Sequence, residues 1–185
     1  MVIRKDLKPK FALISVYDKI DLKKLCISLK KHNYKFISTG STCKKIKSLG
    51  FDCIEISKIT KFKEMLEGRV KTLNPKIFGS ILYKRDNEKH IKEFENLKVP
   101  SISLVIVNLY PFKKHSKNKD KDKIIDMIDI GGPSLIRAAA KNFKFITTVC
   151  NTKYYYQLIN NLNKNNGDTD ITFRKSMAAK TFRET

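Results

Sequence analysis

The chain has 185 residues, a length that suits one domain with a well-buried core. No apolar run approaches the roughly 18 residues that a membrane helix requires, and the N-terminus lacks the apolar core of a signal peptide, so we expect a cytoplasmic protein. The formal net charge of +21 fits a nucleic-acid partner, but an acidic small-molecule substrate explains it equally well. Lysine, isoleucine and asparagine are all abundant, as a biased coding composition would produce, so nucleic acid is not the favoured partner.

The first half of the chain alternates between strand and helix patterns. An apolar run over 10–16 predicts a strand, and apolar residues at helical spacing predict a helix from about 20 to 31. A second strand is predicted over 35–38, and a second helix runs to about Leu49, where Gly50 ends it. A third strand is predicted over 53–56. The pattern from 60 to 85 is irregular, with a further strand predicted at 79–83.

The second half continues the alternation. A polar helix is predicted over 87–97, and the unbroken apolar run 102–107 is typical of a strand covered on both faces. Residues 113–123 are charged and expected to be mobile, and apolar residues return at 124–128. A helix is then predicted to begin near Pro133 and reach Lys141, followed by a strand over 145–149 and helices over 152–163 and 171–182.

This alternation predicts parallel strands joined by right-handed crossovers, and therefore a three-layer α/β sheet of Rossmann-like type flanked by helices. We expect one domain over 1–185, with a core at about 10–150 and C-terminal helices over 151–185. Metal ligation is not expected, because the cysteines lack close pairing and the histidines fall on predicted helices or in the charged segment. These residues are Cys26, Cys43, Cys53, Cys150, His32, His90 and His115.

Residues 67–76 place two cations and a hydroxyl between Gly68 and Pro75, which permit an irregular backbone. Arg69 offers a planar fork of donors and Lys71 a mobile point charge, with Thr72 beside them. Together they can hold an anionic group and leave one ammonium for proton transfer. The alternative is a basic turn that faces water.

Polar loops follow the first two predicted strands. Residues 38–42 supply hydroxyls and a glycine at a helix start, which is the composition of a phosphate cradle, although an ordinary helix cap fits too. Lys19, after the first strand, adds charge to the same phosphate or is simply solvated. Ligands of such sheets bind beyond the carboxyl ends of the strands, so we expect these loops to share one rim with residues 108–112.

Asp129 stands directly before the glycine pair 131–132 at a predicted helix start. The free amides there can hold developing negative charge while the carboxylate removes a proton; the alternative is a helix cap. Lys141, on the same helix, points at the site or reaches for water. Tyr110 follows the most apolar strand, and its hydroxyl donates to a substrate oxygen or its ring packs on the rim.

Taken together, these stretches resemble the inosine monophosphate (IMP) cyclohydrolase domain, the N-terminal part of a bifunctional enzyme that also carries AICAR transformylase activity. The matching segments run in order over nearly the whole chain: 12–16, 38–40, 62–73, 108–112 and 128–142. The fold of that family is similar to methylglyoxal synthase. This likeness implies a cyclohydrolase of the class that acts on cyclic amidines. The implied reaction closes 5-formamidoimidazole-4-carboxamide ribotide to IMP, in the last step of de novo purine biosynthesis.

The resemblance also implies roles for the candidate residues, a homodimer, and no metal or organic cofactor. Asp129, tuned by Lys141, assists deprotonation of the carboxamide nitrogen, and Lys71 helps to expel the oxygen as water. Tyr110 and the amides near Ile130 and Gly131 steady that oxygen. The ribonucleotide substrate is then bound by the remaining residues: Ser15, Lys19, Ser38, Thr39, Gly40 and Thr42 at the 5′-phosphate, and Arg69, Thr72 and Asn108 along the nucleotide.

The chain departs from the family pattern at three positions, where Tyr17, Ser41 and Asn74 replace a usual Ser, Gly and His. Tyr17 puts the fine contacts of the phosphate loop in question. The family's transformylase portion is absent from this chain, so we expect either a fragment or an enzyme reduced to the cyclohydrolase alone. The last residues stop inside a helical pattern, which favours a fragment.

Three other functions fit parts of the pattern. A non-catalytic effector-binding module of the same superfold, like the regulatory domain of carbamoyl phosphate synthetase, needs the phosphate loops but not Lys71, Asp129 and Lys141. Methylglyoxal synthase itself relies on a histidine at its phosphate site, and these loops hold none. An RNA-binding basic domain would lose affinity steeply with salt.

Overall fold

The fold is built on a parallel sheet, seen in a computed structural model that describes residues 9–109, 121–126 and 128–185. Its five strands pair in the order β3-β2-β1-β4-β5, and every pairing is parallel. The strands are β1 (Lys10–Val16), β2 (Tyr34–Ser38), β3 (Cys53–Glu55), β4 (Ile102–Asn108) and β5 (Thr147–Val149). The predicted parallel α/β sheet is therefore confirmed.

Helices fill the connections between these strands. In chain order the described helices are α1 (Leu22–Lys31), α2 (Gly40–Ser48), α3 (Ile56–Thr60), α4 (Pro75–Leu82), α5 (Glu88–Asn96), α6 (Lys121–Asp126), α7 (Gly131–Lys141), α8 (Tyr155–Lys164) and α9 (Ile171–Glu184). Short 3₁₀ turns occur at Leu66–Gly68 and Thr152–Tyr154. Within the described ranges, none of the helices combines the length and apolarity needed to cross a bilayer. The charged segment 113–123 is predicted to be mobile; its residues 113–120 lie outside the described part of the chain.

Both faces of the sheet are buried, which explains why its strands are nearly continuous apolar runs. Alternate residues of β1 pack against different helix layers, because successive side chains of a strand point to opposite faces of the sheet. Ala12 and Ile14 pack with α1, α2 and α8, whereas Phe11 and Leu13 pack with α4 and α7. The three-layer arrangement follows directly from this alternation.

The strand predicted at 79–83 is wrong, because most of these residues belong to α4. Asn74 caps the helix by accepting a hydrogen bond from the Lys76 amide at 3.0 Å, and Pro75 occupies the first turn. Ile77 and Ile81, four residues apart, are both buried on the core side. A short apolar run fits both the two-residue period of a strand and the 3.6-residue period of a helix. The capping residues Asn74 and Pro75 were therefore the better guide to this segment.

The order of the strands fixes the place of a ligand site. From β1 the chain moves to β2 and β3 on one side, and then returns to β4 and β5 on the other. The order therefore reverses between β1 and β4, and the crevice beyond their carboxyl ends is the usual ligand position in such sheets. Val16 and Asn108 lie side by side there.

Candidate functional site

A cleft of about 770 Å³ opens beyond the carboxyl ends of the strands. This volume lies within the range of small-molecule sites, about 300–1,000 Å³. Most of the predicted site residues line it, although they come from distant parts of the chain: Ser15, Thr39, Thr42, Arg69, Lys71, Thr72, Asn108, Asp129, Ile130 and Gly131. The single rim expected from the sequence is present in the described part of the chain.

The loop between β2 and α2 forms a positively polarised corner of the cleft. The α2 helix begins at Gly40, so its first amides carry the partial positive charge of a helix start. The Lys71 ammonium lies 3.7 Å from the position that a Cβ of Gly40 would take. The hydroxyls of Ser15 and Thr39 are hydrogen-bonded to each other at 2.9 Å. This combination of amides, hydroxyls and an ammonium suits a phosphate group.

Two polar side chains hold the loop after β1. The buried Thr42 hydroxyl accepts a hydrogen bond from the Val16 amide at 3.1 Å and donates to the Val16 carbonyl at 3.0 Å. Asn108 does the same for Asp18: its Oδ1 accepts from the amide at 2.9 Å and its Nδ2 donates to the carbonyl at 2.8 Å. Both side chains line the cleft, but these bonds commit them chiefly to fixing the loop between them.

Three predicted phosphate-binding residues do not line the cleft. Ser38 is fully buried, and its hydroxyl donates to the Ile14 carbonyl at 2.6 Å. The ammonium of Lys19 donates to the Tyr17 carbonyl at 3.2 Å and lies outside the lining. Gly40 is also not part of the lining, and its amide donates to Glu55 Oε1 at 3.4 Å. Of the three, Gly40 stays close to the cleft through its neighbour Lys71.

A tight turn presents Lys71. The Met65 and Val70 backbones exchange two hydrogen bonds, of 3.0 and 3.3 Å, and Leu66, Glu67 and Gly68 between them have φ of 52°, 55° and 92°. Lys71 follows the turn and forms an ion pair with Glu64, which precedes it, with Nζ to Oε2 at 2.7 Å. This contact, foremost the hydrogen bond from Lys71, lowers the pKa of the Glu64 carboxyl. Sequence reasoning missed Glu64; its only signal was its place opposite a lysine across a glycine turn.

Asp129 lies at the start of α7 and does act as a cap. Its Oδ1 accepts a hydrogen bond from the Gly132 amide at 2.9 Å, while the side chain remains exposed at the cleft. A Cβ at Gly131 would lie only 2.7 Å from Thr72 Oγ1, and one at Gly132 would collide with the Asp129 carboxylate. Gly131 therefore allows the start of α7 to approach Thr72 closely, and Gly132 leaves room for the Asp129 carboxylate.

The two other predicted catalytic residues are placed differently. Tyr110 lies outside the described residues. Lys141 is exposed at the far end of α7, about 15 Å along the helix axis from Gly131, and it does not line the cleft. The structure therefore does not bring Lys141 to Asp129 within one chain, and its role stays a prediction.

The sequence reasoning also missed apolar surface in the cleft. Ile125 and Ile128 line it together with Ile130, and all three side chains are more than half exposed. Exposed isoleucines beside a polar site are suited to cover a flat ring system. Their only signal was the return of apolar residues after the charged segment.

Comparisons with known proteins agree with this geometry. The family model described as MGS-like domain matches residues 21–134, and the model described as AICARFT/IMPCHase bienzyme matches residues 139–185. The bifunctional purine biosynthesis protein PurH of Clostridium botulinum (strain Hall) is 48% identical over 174 residues, which cover 94% of this chain and 35% of that protein. PurH of Caldicellulosiruptor saccharolyticus is 44% identical over 178 residues, with 95% and 34% covered. The chain thus spans about a third of the length of these relatives.

One solved structure is similar to this chain over nearly the full length of both. The protein described as "Crystal structure of ForH" superposes with a TM-score of 0.84 and 27% identity, covering 95% of this chain and 93% of that one.

Proposed function

Because this chain belongs to the MGS-like domain family, we propose that its cleft carries the reaction expected from the sequence, the closure of 5-formamidoimidazole-4-carboxamide ribotide to IMP with loss of water. The observation that carries this proposal is the meeting of Lys71, Asp129 and the Thr39 loop in one cleft. An effector-binding module would need the loop alone. The similarity to two PurH proteins supports the same reaction.

The phosphate end of the ribotide is held at the start of α2. The helix start supplies amide donors, the Thr39 hydroxyl stands beside it, and Arg69, which also lines the cleft, supplies a fixed cation. The Lys71 ammonium at the edge of this corner is left for the reaction. Binding at this corner leaves the base to extend toward α7 and the exposed isoleucines.

The reaction joins two groups of one molecule, so orientation is the first contribution of the protein. The carboxamide nitrogen must turn onto the formyl carbon. A protein that holds the two groups in this geometry removes the entropy cost of orienting them from the reaction barrier. The carboxamide nitrogen then attacks the carbon and loses one proton, and the formamido nitrogen loses its own proton as the C=N bond forms. The former formyl oxygen gains two protons and leaves as water. The enzyme must therefore take one proton from each nitrogen and supply two to the oxygen.

Asp129 is the base in this scheme, since its exposed carboxylate lies at the cleft and acid–base assistance is typically worth about 10² to 10⁴ in rate. Lys71 carries the opposite charge and donates to the departing oxygen. The amides of the α7 start near Gly131 stabilise negative charge on that oxygen before it leaves.

The test is the appearance of IMP from the formylated ribotide, followed by absorbance. The chain is expected to form IMP catalytically, and Lys71→Ala should abolish most of the turnover while the fold stays intact by circular dichroism. Near-normal turnover in that variant would remove Lys71 from the mechanism. Tight nucleotide binding without turnover in the unaltered chain would instead favour the effector-binding module.

We also propose a homodimer, on the ground of the family resemblance, and a cytoplasmic location and no essential nucleic-acid partner, on the ground of the sequence composition and the N-terminus. Sedimentation at micromolar concentration tests the dimer. Binding to RNA is tested at rising salt, where a purely electrostatic contact loses affinity steeply.

A further inference from the structure

We propose that Glu64 is a positioning residue, whose carboxylate holds the Lys71 ammonium beside the start of α2, where the cleft receives the anionic ribotide. This inference rests on the proposed function, since it assigns a role within the same site. It adds a residue that the motif reasoning left unused.

The backbone builds this ion pair. Met65 and Val70 form an antiparallel pair with two hydrogen bonds, so Glu64 and Lys71 are the next residues facing each other across the turn. Side chains at such neighbouring positions lie on the opposite face from the hydrogen-bonded pair and approach closely. The contact of 2.7 Å between Lys71 Nζ and Glu64 Oε2 is therefore set by the turn.

The pair leaves the ammonium in one place. Lys71 Nζ lies 3.1 Å from the position that a Cβ of Gly68 would take and 3.7 Å from the corresponding position at Gly40. The ammonium therefore sits between the turn and the start of α2. Lysine has a long flexible stem, and without a partner its ammonium would spread over many positions.

Glu64 also affects the binding of the ribotide, and this second effect is unfavourable. Its negative charge lies near the start of α2, where the phosphate binds, so it weakens the attraction for an anionic ligand. The carboxylate is 58% exposed, which means that solvent screens this repulsion. A screened surface charge pair changes an equilibrium by about two- to fivefold. Positioning is expected to matter more, because a misplacement of a reacting group by about 1 Å can cost a hundredfold in rate.

The variant Glu64→Gln keeps the shape of the side chain but removes its charge. The loss of positioning and the loss of repulsion then change different kinetic constants. We expect kcat to fall roughly tenfold or more, while KM for the ribotide falls by about two- to fivefold. Glu64→Asp retains the charge and should recover part of kcat. A merely structural role would instead lower the urea midpoint and leave the kcat and KM of the folded fraction unchanged.

The matched control is Glu67→Gln, which makes the same charge change within the same turn. Glu67 lies at the cleft, but the ion pair with Lys71 belongs to Glu64. Its variant should lower KM slightly and leave kcat within about twofold. A kcat for Glu64→Gln that matches this control would overturn the assignment.

Calorimetry with inorganic phosphate tests the inference without turnover. Glu64→Gln is expected to bind phosphate about two- to fivefold more tightly than the unaltered chain. An unaltered chain that produces no IMP overturns the proposed reaction. An unchanged kcat in Glu64→Gln overturns the positioning role of Glu64, and an unchanged phosphate affinity overturns its charge effect.

Discussion

Asp129 combines two tasks that a single substitution can separate. Its Oδ1 caps α7 through the Gly132 amide at 2.9 Å, and its carboxylate is the proposed base of the ring closure. Asparagine caps a helix about as well as aspartate but cannot accept a proton at neutral pH. Asp129→Asn should therefore preserve the helix start and remove the chemistry.

The structure gives a magnitude for each task. Asparagine keeps the cap bond, so only the attraction between the carboxylate and the helix start is lost, about 0.3–1 kcal/mol of unfolding free energy. Asp129→Ala loses the cap as well, which costs about 0.5–2 kcal/mol. Loss of a general base lowers kcat by about 10²- to 10⁴-fold in both variants.

Asp170→Asn is the matched control. Asp170 caps α9 by accepting a hydrogen bond from the Phe173 amide at 2.7 Å, three residues later, as Asp129 does from Gly132. Asp170 does not line the cleft. Its substitution should cost at least as much stability, because its Oδ2 also accepts a hydrogen bond from Asn161 Nδ2 at 2.6 Å, and should leave IMP formation unchanged.

The assay pairs urea unfolding, followed by circular dichroism, with the rate of IMP formation at saturating ribotide. Asp129→Asn should unfold close to the unaltered chain and show a rate lower by at least about a hundredfold. A rate within about threefold of the unaltered chain would refute the role of Asp129 as base and leave it a cap alone.

Further predictions concern the groups that support the cleft. Ser38→Ala removes the donor to the Ile14 carbonyl and should lower the unfolding free energy by about 1 kcal/mol in urea. Thr42→Val removes both hydrogen bonds between its hydroxyl and the Val16 backbone and should cost more, about 2 kcal/mol or above; equal losses in the two variants would contradict this ranking. Burial raises the pKa of Tyr34 to about 12 from 10.0, so its neutral form stabilises the fold below pH 10.0, and this contribution is lost as the pH rises through about 12. The urea midpoint should therefore decline across that window, and less steeply in Tyr34→Phe; an identical decline would exclude Tyr34 as a cause.

The sequence predicted the sheet well because its signal is local. Strands covered on both faces must be apolar throughout, and the runs at Lys10–Val16 and Ile102–Asn108 coincide closely with their predicted ranges. Parallel pairing then places the loops of β1, β2 and β4 at one edge, so the cleft followed from chain order alone. The residues that line it were found mainly by this reasoning and by the family resemblance.

The sequence is least informative where the orientation of a side chain decides what it contacts. Ser38 follows the two-residue period of β2, so its side chain turns into the core toward Ile14 while Thr39 reaches the cleft. Lys141 shares a helix with the α7 start, but the length of the helix carries it away from Asp129. Glu64 was missed because its contact with Lys71 depends on the type of turn between them. None of these facts is visible in residue type or spacing.

The most direct test of the central claim is a crystal structure of the chain with IMP bound. We predict that the phosphate lies against Arg69 and the amides at the start of α2, with the purine ring between Asp129 and the exposed isoleucines and within reach of Lys71. A nucleotide bound outside this cleft, or one whose ring points away from Asp129, would contradict the account.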